Sequence, residues 1–442
     1  MSSYKRTALW ILIIFIAFTG ALVSRWSLSE NVSAEEDMHY KTIHTFAEAL
    51  TLIKKNYVEE VADKDLVYGA IKGMLSSLDP HSSFMPPNVY KEMQVDTKGE
   101  FGGLGIQISI KDNFLTVIAP IEDTPAFKVG VKAGDKIIKI NNESSKDMSI
   151  LDAVSKLRGP KGTSVTITIM REGLDKPKEI TIIRDIINIK SVKSRVIDSS
   201  IGYVKLLQFQ ETTSSELEKA LKALEEEKIN SLILDLRNDP GGLLNSSVDV
   251  TSQFLPPDKL VVYIKGRDGE KTEFKTSNSK PSYKYQMIVL VNEGSASASE
   301  IVAGALQDWE RAVILGTQTF GKGSVQTVIP LSDGSGIRLT TARYYTPKGR
   351  SIQTTGIKPD IVVELASKKG EKKHPVFREK DLEKHLENDT VKDAAPAVTD
   401  EKKEEDIIEA PVEVSDEDDV QLQRAIDILK TWDVFKNIKK AA

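Results

Sequence analysis

The order of apolar and polar positions divides the chain into stretches of different period. Ala8 to Val23 is an unbroken apolar run, preceded by Lys5-Arg6 and closed by Arg25. Basic residues ahead of a short apolar run are the layout of an export segment, so 1–34 is read as a signal peptide or a membrane anchor. Val32-Ser33-Ala34 offers the small residues that cleavage needs, but far from the run. Cleavage and retention as a single-pass anchor both stay open. Over 37–95 the apolar positions recur at helical spacing, as in His44, Ala47, Leu50, Thr51 and Ile53 and again in Val67, Ala70, Ile71 and Met74. Leu78-Asp79-Pro80 interrupts that pattern. A small helical region over 35–97 is expected, with His81 as a turn or cap residue beside Pro80.

From about 98 to 185 the pattern becomes short strands punctuated by glycine. Between 200 and 365 strands alternate with helices: Ile201 to Phe209 as a strand, Thr213 to Lys228 as an amphipathic helix, Ser231 to Leu236 and Ile288 to Asn292 as buried strands. Alternation of this kind predicts α/β layers for 186–370. Residues 371–419 carry 18 acidic and 8 basic side chains, a net −10 against −5 for the whole chain. That stretch is expected to be a solvated acidic linker. Val420, Leu422, Ile426, Leu429 and Trp432 then return to helical spacing, predicting a helix within 420–442 that docks on the rest.

Composition narrows the chemistry. With 60 basic and 65 acidic residues in 442 there is no net field to gather nucleic acid. Cysteine is absent, which excludes disulfides, thiolate metal sites and cysteine nucleophiles. The five histidines are His39, His44, His81, His374 and His385, so the whole span 82–373 must do any catalysis without imidazole.

Gly102-Gly103-Leu104-Gly105 leads into Ile106-Gln107-Ile108-Ser109-Ile110, a glycine loop followed by strict alternation. Glycines let successive backbone N–H groups converge on an anion, and the strand behind can take up an extended peptide as an added strand. Gly130 to Asn141 follows with its Gly-Asp segment, then a helix near Ser149–Arg158 and strands Thr163–Met170 and Glu179–Arg184. Together these resemble a PDZ domain over 98–185, a module that captures C-terminal tails. Ile106, Ile108, Leu151 and Val154 would line a pocket for apolar terminal side chains. Arg158, at the end of the helix, is either a solvated partner of the helix dipole or a link between tail binding and catalysis.

Ser231-Leu232-Ile233-Leu234-Asp235-Leu236-Arg237 runs into Asn238-Asp239-Pro240-Gly241-Gly242 ahead of a helix expected over Leu243–Phe254. Backbone N–H groups freed there suit an oxyanion hole, although a plain strand-to-helix turn has the same composition. Ser295-Ala296-Ser297-Ala298-Ser299-Glu300 opens another helix, where a serine is either an N-cap or a nucleophile near the positive end of the dipole. Thr319-Phe320-Gly321-Lys322-Gly323-Ser324-Val325-Gln326 supplies a lysine between glycines and beside apolar residues. Burial would lower its pKa from about 10.4 towards neutrality and make it the general base that no histidine can be. Gln326 could orient the amine without restoring its charge.

These segments in combination resemble the carboxyl-terminal processing peptidases, or tail-specific proteases, over about 40–365 and the terminal helix. The resemblance implies a crotonase-like mixed α/β protease core and a Ser-Lys dyad. The middle serine, Ser297, would be the nucleophile, Lys322 the base and Gln326 its support. The oxyanion donors would be the amides of Ala298 and of Gly241 or Gly242. It implies no cofactor and no metal, and as partners proteins with apolar C-terminal tails, with an adaptor lipoprotein and a homo-oligomer left open. The export segment adds a periplasmic or cell-envelope location. Two rivals remain: a non-catalytic PDZ scaffold, which needs none of the three site residues, and an acyl-CoA enzyme of crotonase type, which an export signal argues against.

Overall fold

The computed structural model describes residues 40–111, 114–146, 148–174, 176–198, 200–277, 283–364, 377–390 and 415–441, the last nine by backbone alone. The chain forms two compact units divided after Met74. The first holds a helix over 40–56 and most of helix Asp63–Ser76. Ile43, Phe46 and Ile53 on the former are exposed. Among the described residues no helix is long and apolar enough to cross a membrane, and the run 8–23 lies outside them.

In the larger unit a six-stranded sheet carries the α/β layers. Its order is Val192–Ile197, Ile201–Leu206, Ser231–Asp235, Gln286–Val291, Val313–Gly316 and Ile361–Val362, with only the first strand antiparallel. The central strands read as continuous apolar runs because both faces are covered. Leu232 and Leu234 point into a core with Leu217, Leu221, Val302 and Leu306 from helices Thr213–Glu226 and Ala298–Asp308. Ile233, Ile288 and Leu290 face the other way, against Leu422, Ala425, Ile426 and Leu429 of helix Val420–Ala441. The terminal helix therefore closes the second face of the sheet.

A second, antiparallel sheet contains Ser324–Pro330, Gly336–Tyr345, Leu260–Gly266 and Lys271–Lys275. Its edge is Ser83–Met85, a strand where a helical region was expected, paired with Gly336–Arg338. The strand-rich stretch folds as an antiparallel sheet ordered Ile106–Lys111, Phe114–Pro120, Lys136–Ile140, Ser164–Met170 and Lys178–Ile183, with helix Ile150–Leu157 beside it. The Gly134-Asp135 turn is fixed by charge: buried Asp135 takes a two-pronged hydrogen bond from Arg171, at 2.5 and 2.7 Å, and another from the Lys132 N–H. Glu100–Gly103 pairs with Asp185–Asn188, the strand that leads on into the α/β layers.

Several expected limits shift. The first core strand ends at Leu206 rather than Phe209 and the helix after Gly242 spans Leu244–Thr251 rather than Leu243–Phe254, while the terminal helix, Val420–Ala441, fills the expected 420–442. The larger correction concerns the acidic stretch. Residues 371–376 and 391–414 lie outside the described residues, but 377–390 is no solvated linker: Glu379 is fully buried, and Asp419 pairs with Arg237. An averaged charge hides single carboxylates that find buried donors.

Candidate active site

Ser297 caps helix Ala298–Asp308 with φ +54° and ψ −111°. A side chain in that region of backbone space is strained and is held there by its surroundings. The holding group is Glu300, fully buried in the first turn of the same helix. Its Oε2 accepts the Ser297 N–H at 2.8 Å and the Lys322 N–H at 2.9 Å. Its Oε1 accepts the Gly321 N–H at 2.8 Å and the Thr319 hydroxyl at 2.5 Å. One carboxyl thus ties the serine turn to the lysine loop. Burial pushes the Glu300 carboxyl up to about 7 against the opposing pull of those four donors.

The lysine loop is pressed closely on its neighbours. A Cβ on Gly323 would stand 2.4 Å from the Gln353 nitrogen, and the Gly323 N–H donates to Gln353 Oε1 at 2.9 Å. The Lys322 amine makes no hydrogen bond or ion pair among the described residues. Its pKa is lowered, chiefly by burial; Glu379, Glu300 and Asp79 oppose that and Arg338 adds to it. Gln326, expected to orient the amine, instead donates to Ser324 Oγ at 2.9 Å and Thr340 Oγ1 at 3.4 Å, and no bond joins it to Lys322.

Facing the serine is the turn after strand Ser231–Asp235. A Cβ on Gly241 would lie 2.6 Å from the Ala296 carbonyl oxygen, 2.8 Å from the Ala298 nitrogen and 2.9 Å from Ser297 Cβ. Only glycine permits that approach, and its φ of +97° is likewise a glycine conformation. The Gly241 N–H is taken by Asp239 Oδ1 at 2.9 Å, whereas the N–H groups of Gly242 and Ala298 have no acceptor among the described residues. The flanking serines are occupied structurally: Ser295 Oγ donates to the Leu236 carbonyl at 2.8 Å and Ser299 Oγ to that of Asp239 at 3.0 Å. The Tyr344 hydroxyl, fully buried, faces Ser297, and burial holds its pKa well above the ordinary phenol value.

Sequence reasoning missed three supports of this site. Glu300 carried a signal, since Ser-x-x-Glu is a capping-box pattern, but nothing local pointed to Thr319, Gly321 and Lys322. Arg237 donates to Asp235 and, 182 residues away, to both oxygens of Asp419 at 2.7 and 2.8 Å, so the strand entering the glycine turn is clamped by the start of the terminal helix. His81, expected as a turn or cap residue, donates through Nε2 at 2.8–2.9 Å to Glu379, which also accepts from Gln353 Nε2 at 2.8 Å. The segment around Pro80 is therefore built into the wall behind Lys322.

In the strand-rich part, Ile106, Ile108 and Val154 are half-buried between strand and helix; the Leu151 side chain lies outside the described residues. Gly102 and Gly103 belong to strand Glu100–Gly103, and the N–H groups of Leu104 and Gly105 have no acceptor among the described residues. The end of helix Ile150–Leu157 is capped by Arg184, whose guanidinium donates to the carbonyls of Lys156 and Leu157 at 2.7 and 2.9 Å. Arg158, the residue that ends this helix, lies over the Phe101 ring at 4.4 Å beside the glycine loop.

A helix-capping serine, a buried lysine and a peptide-binding module on an α/β scaffold define a serine peptidase with a PDZ domain. Comparison with known proteins agrees: residues 200–363 match peptidase family S41, 92–170 the PDZ domain, and 19–88 the N-terminal domain of the activating protease CtpB. A carboxy-terminal-processing protease of Bartonella bacilliformis is 42% identical over 95% of each chain. A carboxyl-terminal-processing protease of Synechocystis is 40% identical over 71% of this chain and 75% of its own. The solved structure of a photosystem II D1 C-terminal processing protease is 29% identical, covering 72% of this chain and 92% of that one with a TM-score of 0.43. The chain belongs to the carboxy-terminal-processing proteases of peptidase family S41 and acts on protein substrates.

Proposed function

We propose that the chain is an exported endopeptidase that holds an apolar C-terminal tail in its PDZ groove and cleaves upstream through a Ser297–Lys322 dyad. The observation that carries this reading is the shared Glu300 oxygen. It brings a serine with strained backbone and a lysine whose desolvated amine has no partner among the described residues to the same carboxylate. The neutral Lys322 amine takes the Ser297 hydroxyl proton as Oγ attacks the scissile carbonyl. The Ala298 and Gly242 N–H groups receive the oxyanion, Gly241 being already committed to Asp239. Lys322 then gives its proton to the leaving amine, and water, deprotonated by Lys322, hydrolyses the ester and frees Ser297. Gln326 supports the lysine through its strand rather than by direct contact.

The amides of Leu104 and Gly105 and the charge of Arg158 would receive the tail carboxylate, with Ile106, Ile108, Leu151 and Val154 taking the apolar side chains. The apolar run 8–23 supports delivery to the cell envelope. The deciding experiment measures cleavage of an unfolded protein with an apolar C-terminus. Ser297→Ala, Lys322→Ala and Lys322→Arg should each lose activity at least about a thousandfold, since guanidinium cannot act as a base near neutral pH. An active Lys322→Arg enzyme would sink the dyad. For the tail, Arg158→Ala at saturating peptide separates coupling, which lowers kcat, from tethering, which raises KM alone.

A further inference from the structure

Asp239 sits behind the glycine turn with no solvent exposure and joins its two halves. Its Oδ1 accepts the Gly241 N–H at 2.9 Å, while its main-chain oxygen accepts the Ala296 N–H and the Ser299 hydroxyl, both at 3.0 Å. Its other carboxyl oxygen, Oδ2, is buried with no hydrogen-bond partner. A buried oxygen without a donor is costly, and far more so when it bears charge.

Among the described residues no cation acts on it. On its own strand and turn, Asp235 is a like charge and Arg237 is consumed by Asp235 and Asp419. On the serine turn and its helix, Glu293 accepts the Thr317 hydroxyl and Glu300 is filled by four donors. Asp249, on the helix after the turn, is exposed. Among the described residues Asp239 has no ion pair. From this placement we infer that Asp239 is a positioning residue that works only as the neutral acid: protonated, it holds Gly241 so that the Gly242 N–H stays aimed outward, and ionised, it sets a negative charge behind the site where the oxyanion forms. The inference rests on the proposed assignment of Gly242 and Ala298 as oxyanion donors. Burial, with Asp235 as a lesser contributor, pushes the Asp239 carboxyl up to about 8 against the pull of the Gly241 N–H and the nearby Ser299 hydroxyl, so the change falls within the working range of an enzyme.

The consequence is a two-limbed pH profile. Activity rises as Lys322 loses its proton and falls as Asp239 loses its own. For a group near 8, raising the pH from 7 to 9 cuts the neutral fraction roughly tenfold. Asp239→Asn keeps the oxygen that accepts the Gly241 N–H and cannot ionise. The ratio of kcat/KM at pH 9 to that at pH 7 should therefore rise about tenfold in the variant. An unchanged ratio, or loss of activity at every pH, overturns the proposal.

A second readout is independent of catalysis. A carboxyl whose folded pKa is raised keeps its proton longer in the folded state, so stability falls as pH climbs from the unfolded value of 3.8 towards about 8. In a Ser297→Ala background, the melting temperature of Asp239→Asn minus that of Asp239 should be near zero at pH 4 and widen up to pH 8. A constant gap refutes the neutral acid even if the dyad is correct. A widening gap together with an active Lys322→Ala enzyme would instead keep the acid and refute the dyad.

Discussion

Two buried carboxyls flank Ser297, one on each side, and burial raises both, Glu300 to about 7 and Asp239 to about 8. They differ in how their oxygens are used. Glu300 has donors on both oxygens, drawn from the serine turn and from the lysine loop, while Asp239 has one donor on one oxygen and an orphan on the other. Burial alone therefore does not decide what an acid does. A carboxyl filled by fixed donors is structural wiring; one left half-filled lacks the donors that would stabilise its charge.

The sharpest way to break the comparison is to give each acid its isosteric amide. In Glu300→Gln the NH2 must face either the N–H groups of Ser297 and Lys322 or the Gly321 N–H and the Thr319 hydroxyl. Two buried donors lose their acceptor, at a cost of about 2–4 kcal/mol. Unlike Asp239→Asn, this change should lower kcat at every pH, by about a hundredfold, with KM little altered, as steady-state kinetics on a short peptide would show. If Glu300→Gln behaved like Asp239→Asn, the donor count would not be what separates them.

A change with its main effect on stability tests the clamp behind the Asp239 side. Asp419→Ala leaves the Arg237 guanidinium half-paired in a buried site, where breaking such a pair costs about 3–5 kcal/mol. Chemical denaturation should report the loss, and kcat should fall with it because the strand entering the glycine turn is loosened. A smaller effect is expected at the lysine wall. His81→Gln retains a donor to Glu379, so stability should fall by about 1 kcal/mol and the rising limb of the pH profile should stay in place. Disappearance of that limb would make imidazole the proton acceptor and remove the lysine from the role.

How much of this was legible in the sequence depended on distance along the chain. The alternation after Gly105 and the apolar run Ser231 to Asp235 are local patterns, and local rules read them as strands; the serine segment they read only as the start of a helix. Glu300 was half legible, as the third residue of a capping box, but its contacts to 319–322 come from a different element. Glu379 was invisible inside a stretch whose average charge reads as solvated, since only the fold brings it to His81, 298 residues earlier. Asp239 looked like one letter of a turn motif; that its second oxygen is left without a donor is a property of packing, which no spacing rule encodes.

The Arg237–Asp419 contact spans 182 residues, and this separation has a consequence in time. A ribosome adds about 5–20 residues per second, so on the order of ten to forty seconds pass between synthesis of Arg237, at the end of strand Ser231–Asp235, and synthesis of the carboxylate that clamps it. In the later part of that interval the serine and lysine segments are made as well, yet the sheet still lacks the helix that covers its second face. Until helix Val420–Ala441 and the Asp419 before it are in place, Arg237 lacks half of its partners and the strand it closes stays open to water on one face.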